Sequence, residues 1–338
     1  MIFTLAFLYL PYVGAVVFAA IVSALLILVI RPLLLRFALA KPNARSSHKT
    51  PTPQGAGIAV VTATMLVAGL YIHAMVIPDF SFALRVFGAA AFLAIVGFAD
   101  DIRPIPILPR LVLQAIAISL VLPFGDFQLV PMLPLWLERG LLLLAALWFV
   151  NLVNFMDGMD WMTLVEVVPI SAAMIVVGPL LYPGSPGIIA AALCGAMIGF
   201  APFNRPVAKI FLGDVGSLPI GLLLGWCLLQ LAGQHQLAAA VLLPLYYLAD
   251  ATVTLLRRMI RGEPFWIAHR SHFYQRATDN GFTVLQVAGE VFALNLGLAA
   301  LALTSIAMRS SAVDAACLAV GVAAVAFVLA RFSRPLKS

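Results

Sequence analysis

The sequence predicts an all-α fold, a polytopic integral membrane helical bundle, and three observations carry that prediction. Hydrophobic residues make up 63% of the 338 and charged residues only 10%, a balance far from that of a soluble domain. About 20 consecutive apolar residues cross a bilayer, and about 11 such stretches can be placed along the chain. The basic residues gather in alternate loops between them, the asymmetry that orients helices in a membrane.

The stretches run near 6–30, 57–77, 83–99, 107–124, 139–156, 164–183, 186–202, 217–233, 236–256, 284–307 and 312–330. Nothing basic precedes the first run, MIFTLAFLYLPYV, and no small-residue cleavage pattern follows it, so it reads as a first span and not a removable signal. Several stretches are short or bounded by Pro or Gly. Such helices need a protein-lined or watery neighbourhood for their freed backbone groups. With the first helix leaving into the cytoplasm, every Lys and Arg except Arg85, Arg139 and Arg309 falls inside. The N-terminus is therefore expected to be periplasmic and the C-terminus, RFSRPLKS, cytoplasmic.

The net charge of +6 belongs to this topology and to anionic headgroups, and no nucleic-acid partner is expected. Cys194, Cys227 and Cys317 fall inside predicted spans without metal-ligand spacing. A single transmembrane domain over 1–338 is expected, with cytoplasmic loops near 41–57, 100–110, 151–163, 203–217 and 257–283.

Those loops hold the chemistry. KPNARSSHKTPTPQGAG, from Lys41 to Gly57, is turn-rich and full of donors suited to a phosphate, or else a solvated connector. Asp100 and Asp101 are two adjacent carboxylates at a bilayer edge, so they sit in water, pair with cations, hold a metal or simply mark the helix end. Asn154, Asp157 and Asp160 recur every three residues, on one helical face unless Gly158 breaks the helix first. Their oxygens suit Mg²⁺, with helix capping as the alternative.

In FLGDVGS, glycines flank Asp214 and would let backbone approach a ligand closely. The longest loop carries Arg257, Arg258 and Arg261, then His269, Arg270, His272 and Arg276. Its cationic surroundings favour phosphate over zinc at the two histidines. Asp250, Glu166 and Glu290 are further acids within predicted spans. Aspartates beside an anionic phosphate oppose reaction unless a divalent cation lies between them. The combination predicts Mg²⁺-dependent phosphoryl chemistry at the membrane surface.

The ordered set PNARSSH, PTPQGAG, GFADDIR, NFMDGMD, FNRPVAKIFLGDVGS and AHRSHFYQR resembles the polyprenyl-phosphate N-acetylhexosamine-1-phosphate transferases over about residues 41–280. The HRSHFYQR form is similar to their O-antigen-initiating branch. The resemblance implies transfer of a sugar 1-phosphate from a UDP-N-acetylaminosugar to undecaprenyl phosphate, with release of UMP, at the cytoplasmic face of a bacterial inner membrane. It implies Mg²⁺, with Mn²⁺ as a substitute, and a homodimer in contact with membrane lipids.

By motif position, Asp214 is then the main metal ligand with Asp157 beside it. Asp100, Asp101, Asp157, His269 and His272 form the catalytic set, and Lys49, Asn154, Asp160, Asn204, Lys209 and Arg270 bind substrate. Three departures stand out. PTPQGAG replaces the familiar PTPRGGG, Arg103 and Arg110 stand where many relatives have a lysine, and Trp161 replaces the second glycine of DGxDG. Competing readings are a lipid-phosphate phosphatase and an ion-coupled transporter. The latter needs a midplane site and usually repeat symmetry, which this chain does not display. The donor sugar, whether GlcNAc, FucNAc or QuiNAc, is left open.

Overall fold

The computed structural model describes residues 2–40, 52–75, 80–122, 128–181, 184–264 and 269–336. In chain order the helices are α1 (Ile2–Phe37), α2 (Gly57–Ala74), α3 (Phe80–Ile102), α4 (Ile107–Ser119), α5 (Leu135–Met156), α6 (Met162–Leu181), α7 (Ser185–Phe200), α8 (Asp214–Gly233), α9 (Leu237–Leu242), α10 (Leu245–Ile260), α11 (Phe273–Asp279), α12 (Val284–Met308) and α13 (Ser311–Phe332). The described strands are two short antiparallel pieces, β1 (Leu39–Ala40) and β2 (Thr52–Pro53).

Among the described residues, eight helices are long and apolar enough to cross a membrane: α1, α2, α3, α5, α6, α8, α12 and α13. This is an integral membrane protein. The other three expected stretches fall on shorter elements. The 107–124 stretch holds α4 with 13 residues, and 186–202 holds α7 with 16. The 236–256 stretch breaks into α9 and α10 at Leu243 and Pro244, where proline has no N–H to continue a helix.

In a membrane, lipid tails are as apolar as the helices, so close packing holds a bundle together. The centre is made by α7 and α8, whose side chains are almost all buried. In α7 the run Gly195-Ala-Met-Ile-Gly199 lets α1 lie directly against it. A Cβ at either glycine would meet the Val16 or Ala20 carbonyl oxygen at 2.0 and 2.3 Å. The outer helices turn apolar side chains outward, as at Val29 and Phe327, which are 71% and 69% exposed.

The break before α10 leaves backbone donors that lipid cannot satisfy. Near it Glu166, 1% exposed on α6, accepts the Asn295 amide of α12 on its Oε2 at 2.6 Å. Glu290 forms a two-point ion pair with Arg331 at 2.9 and 3.0 Å, joining α12 to α13. These two intramembrane acids are engaged in helix packing.

Candidate active site

The start of α8 is held from neighbouring segments. A helix N-terminus leaves several N–H groups without intrahelical partners. Here Asp101, at the end of α3, supplies the acceptors. Its Oδ1 accepts the Asp214 N–H at 3.0 Å and its Oδ2 the Val215 N–H at 3.1 Å. The Gln54 side-chain amide donates to the same Oδ1. The N–H groups of Gly216 and Ser217 bond to the Gly213 carbonyl at 2.9 and 3.0 Å. The first turn of α8 therefore spends its donors within the protein.

Of the glycines of FLGDVGS, Gly216 admits the start of α2, and Gly213 lies against the side chains of Asp101 and Gln54. A Cβ on Gly57 would lie 2.2 Å from the Gly216 Cα, and one on Gly97 the same distance from the Asp214 carbonyl oxygen. The described part of the first loop is laced to the same segment. Phe211 donates to the Pro53 carbonyl at 2.8 Å, Gly55 and Ala56 donate to the Phe211 carbonyl at 3.1 and 3.0 Å, and Gly57 donates to Leu212 at 2.9 Å. Residues Gln54–Gly57 thus form a clamp on the start of α8, with their backbone N–H groups bonded within the protein. Lys49, with the rest of 41–51, lies outside the described residues.

Asp100, 9% exposed, accepts the Ile105 N–H at 2.5 Å and Arg110 Nη1 at 2.8 Å. Its carboxyl lies beside that of Asp214, with Asn154 near Asp214. The Asn154 amide donates to Ser217 Oγ at 2.9 Å. Two carboxylates side by side repel unless a proton or a cation lies between them. Asp157 ends α5 and accepts the Thr163 hydroxyl. Burial pushes its carboxyl up to about 7, the Thr163 bond opposes that shift, and the charges of Asp101 and Asp160 add to it.

The helix does end before Gly158, so Asn154, Asp157 and Asp160 do not share one helical face. Asp160 accepts the Ala208 N–H at 3.0 Å. Asn204 accepts the Trp161 N–H at 2.7 Å and donates to the Ile210 carbonyl at 3.1 Å, while the Trp161 indole donates to Ala201 at 2.9 Å. These side chains join the 157–163 segment to the 201–210 loop, on which Lys209 is exposed.

The histidine loop is anchored from within the bundle. Asp250 of α10, fully buried, accepts the N–H groups of Phe273 and Tyr274 at 3.0 and 3.1 Å, and His272 Nδ1 at 3.2 Å. The Tyr246 and Thr254 hydroxyls complete its shell. His272 stacks on His269 at 5.0 Å and on Tyr274 at 5.8 Å between ring centres. The Tyr274 hydroxyl reaches the Phe155 carbonyl at 3.2 Å, which presses the loop against the Asp157 segment. Arg270 turns toward α11, 3.0 Å from Thr278 Oγ1 and 3.4 Å from Asp279.

Residues 82–232 match the glycosyl transferase family 4 model. A probable undecaprenyl-phosphate N-acetylglucosaminyl 1-phosphate transferase of Bacillus subtilis is 27% identical, covering 83% of this chain and 84% of that protein. A decaprenyl-phosphate N-acetylglucosaminephosphotransferase of Mycobacterium tuberculosis is 29% identical over 72% of this chain and 70% of its own length. Its counterpart in Mycolicibacterium smegmatis is 31% identical over 58% and 54%. The chain is thus similar to polyprenyl-phosphate N-acetylglucosamine phosphotransferases, through the family match over 82–232 and these relatives.

The matched region holds every acid around α8, from Asp100 to Asp214, and stops short of the histidine loop. Mg²⁺ takes hard oxygen ligands and uses one or two carboxylates, completing its octahedron with water and substrate phosphates. Asp214 and Asp100 supply two neighbouring carboxylates of that kind. Among the described residues, no group of three or more His, Cys, Asp or Glu side chains is placed to hold a metal ion, so substrate oxygens and water would supply the remaining positions. Asp250, Gln54 and Thr163 are the site-supporting residues least visible from sequence. Of these, Asp250 alone carried a signal, an acid inside an apolar stretch.

Proposed function

We propose that this protein transfers an N-acetylaminosugar 1-phosphate from a UDP-sugar to undecaprenyl phosphate, releasing UMP, as the first membrane step of O-antigen or related cell-envelope polysaccharide synthesis. The observation that carries the reading is the placing of Asp100 beside Asp214, with Asn154 near Asp214 and Asp157 among the neighbouring charges, at a bundle end reached by the histidine loop. The relatives' names support the reaction class, and the HRSHFYQR loop supports the O-antigen branch. We place this end in the cytoplasm, the N-terminus in the periplasm and about 11 spans in the inner membrane, on the distribution of Lys and Arg.

Mg²⁺ held by Asp214 and Asp157, beside Asp100, would offset the negative charge of the meeting phosphates. A phosphate monoester has a second pKa of about 6, so the lipid phosphate is mostly dianionic at neutral pH and needs no strong base. Its oxygen attacks the sugar-linked phosphorus, a new P–O bond forms, and the bond to the bridging oxygen breaks, with UMP leaving. Asp100 is engaged by Ile105, Arg110 and Asp214, and Asp101 by Gln54 and α8. That engagement supports direct attack over a covalent aspartyl intermediate. Asp101 acts as a positioning residue, while His269, Arg270 and His272 meet the diphosphate.

The test is UMP release by purified protein with Mg²⁺ and undecaprenyl phosphate, offered UDP-GlcNAc, UDP-FucNAc and UDP-QuiNAc in turn. Release that needs lipid and Mg²⁺ and vanishes in Asp214→Ala supports the reading. Release of inorganic phosphate from the lipid alone would replace it with a phosphatase.

A further inference from the structure

The charges around α8 do not balance. Asp100, Asp101, Asp157 and Asp214 meet at one end of the bundle, and the Arg110 guanidinium pairs with Asp100 at 2.8 Å. Among the described residues, Asp101 is held by neutral donors: the Gln54 amide and the backbone N–H groups of Asp214 and Val215. Gln54 is the side chain in that set. It is half-buried and packs against Gly213, immediately before Asp214, so that a Cβ there would meet Gln54 Cγ at 3.0 Å.

A neutral donor and a cationic donor can hold a carboxylate in the same place with opposite electrostatic consequences. The amide leaves the negative charge of Asp101 in the local field, and a guanidinium or ammonium would cancel it and repel a neighbouring cation. We propose that Gln54 sets the divalent-cation affinity of this site by holding Asp101 without neutralising it. The inference rests on the divalent-cation reading above. The clamp that Gln54 belongs to keeps its side chain at Asp101, through backbone bonds from Gln54 to Ala38 at 2.9 Å and from Phe211 to Pro53 at 2.8 Å.

The experiment follows the unfolding temperature of the full chain in detergent against MgCl₂ concentration, at constant ionic strength, for the wild type, Gln54→Arg, Gln54→Lys and Gln54→Met. The expected result is a rise of about tenfold in the Mg²⁺ concentration at which stabilisation sets in for the two basic variants. Gln54→Met, which loses the hydrogen bond and adds no charge, lowers the starting temperature and keeps the wild-type onset. Equal onsets in the basic variants and in Gln54→Met would overturn the role of Gln54 alone. A wild type that Mg²⁺ does not stabilise would overturn the cation reading and this inference together. Gln54→Lys stands in should Gln54→Arg not fold.

Discussion

Asp101 Oδ1 accepts the backbone N–H of Asp214 at 3.0 Å, so a carboxylate at the end of one helix fixes the first residue of another. Because Oδ2 also accepts a backbone N–H, that of Val215, an amide nitrogen at position 101 must face a donor whichever way it turns. Asp101→Asn is therefore expected to cost about 2 kcal/mol, as a buried donor without an acceptor does. It should lower the unfolding temperature in detergent. Asp214→Ala removes one of two neighbouring carboxylates and should leave that temperature equal or higher in EDTA while abolishing UMP release. Equal thermal losses in both variants would contradict the division of roles.

Asp250 gathers five donors in a fully buried place. Asp250→Ala strands the N–H groups of Phe273 and Tyr274 and the His272 ring, at a cost of about 3 kcal/mol or more. The histidine loop should then open to trypsin at Arg270 and Arg276 faster than in His272→Ala, which keeps Asp250 on the two backbone donors. Proteolysis timed by mass spectrometry checks the order.

Two glycines of α3 separate packing from propensity. Gly97→Ala drives a methyl into the Asp214 carbonyl at 2.2 Å, whereas nothing lies within 4 Å of a Cβ on Gly88. The first should lose activity and stability together. The second should be neutral or stabilise by about 0.5 to 1 kcal/mol through helix propensity.

Asp157 predicts a pH dependence. Its carboxyl, normally at 3.8, is pushed up to about 7. In cation-free protein the folded state thus keeps a proton that the unfolded state has released. Its contribution to stability should be fully present below about pH 4 and be lost as the pH rises through 7. A divalent cation at Asp157 rewards the ionised form, so the Mg²⁺-induced rise in unfolding temperature should be larger at pH 8 than at pH 6. Asp157→Asn should flatten that difference.

Composition and basic-residue placement made the helical bundle legible, and the carboxylate motifs pointed to the residues that meet at α8. What lay beyond sequence was direction. Asp101 and Asp214 both read as ligand-facing acids, yet one turns its oxygens to backbone N–H groups more than a hundred residues away in sequence. Asn204 and Asp160 carry polar atoms suited to substrate, and the bonds they make run to Trp161, Ile210 and Ala208. The glycines around Asp214 signalled close approach correctly, but spacing along one chain does not reveal that the approaching body is α2. Broken spans are equally ambiguous, since Pro244 marks the start of α10 while Pro169, Pro179 and Pro219 lie inside continuous helices.

The lacing of Gln54–Gly57 to Phe211–Leu212 has a consequence for biosynthesis. During synthesis α2 emerges well before α8, by on the order of ten seconds or more at 5–20 residues per second. Over that interval Gln54–Gly57 lack their bonds to Phe211–Leu212 and Asp101 has no helix to cap. The early half of the protein must therefore wait in the bilayer, inserted but unfinished, and a chain that stops before α8 leaves Asp100 without Asp214 beside it.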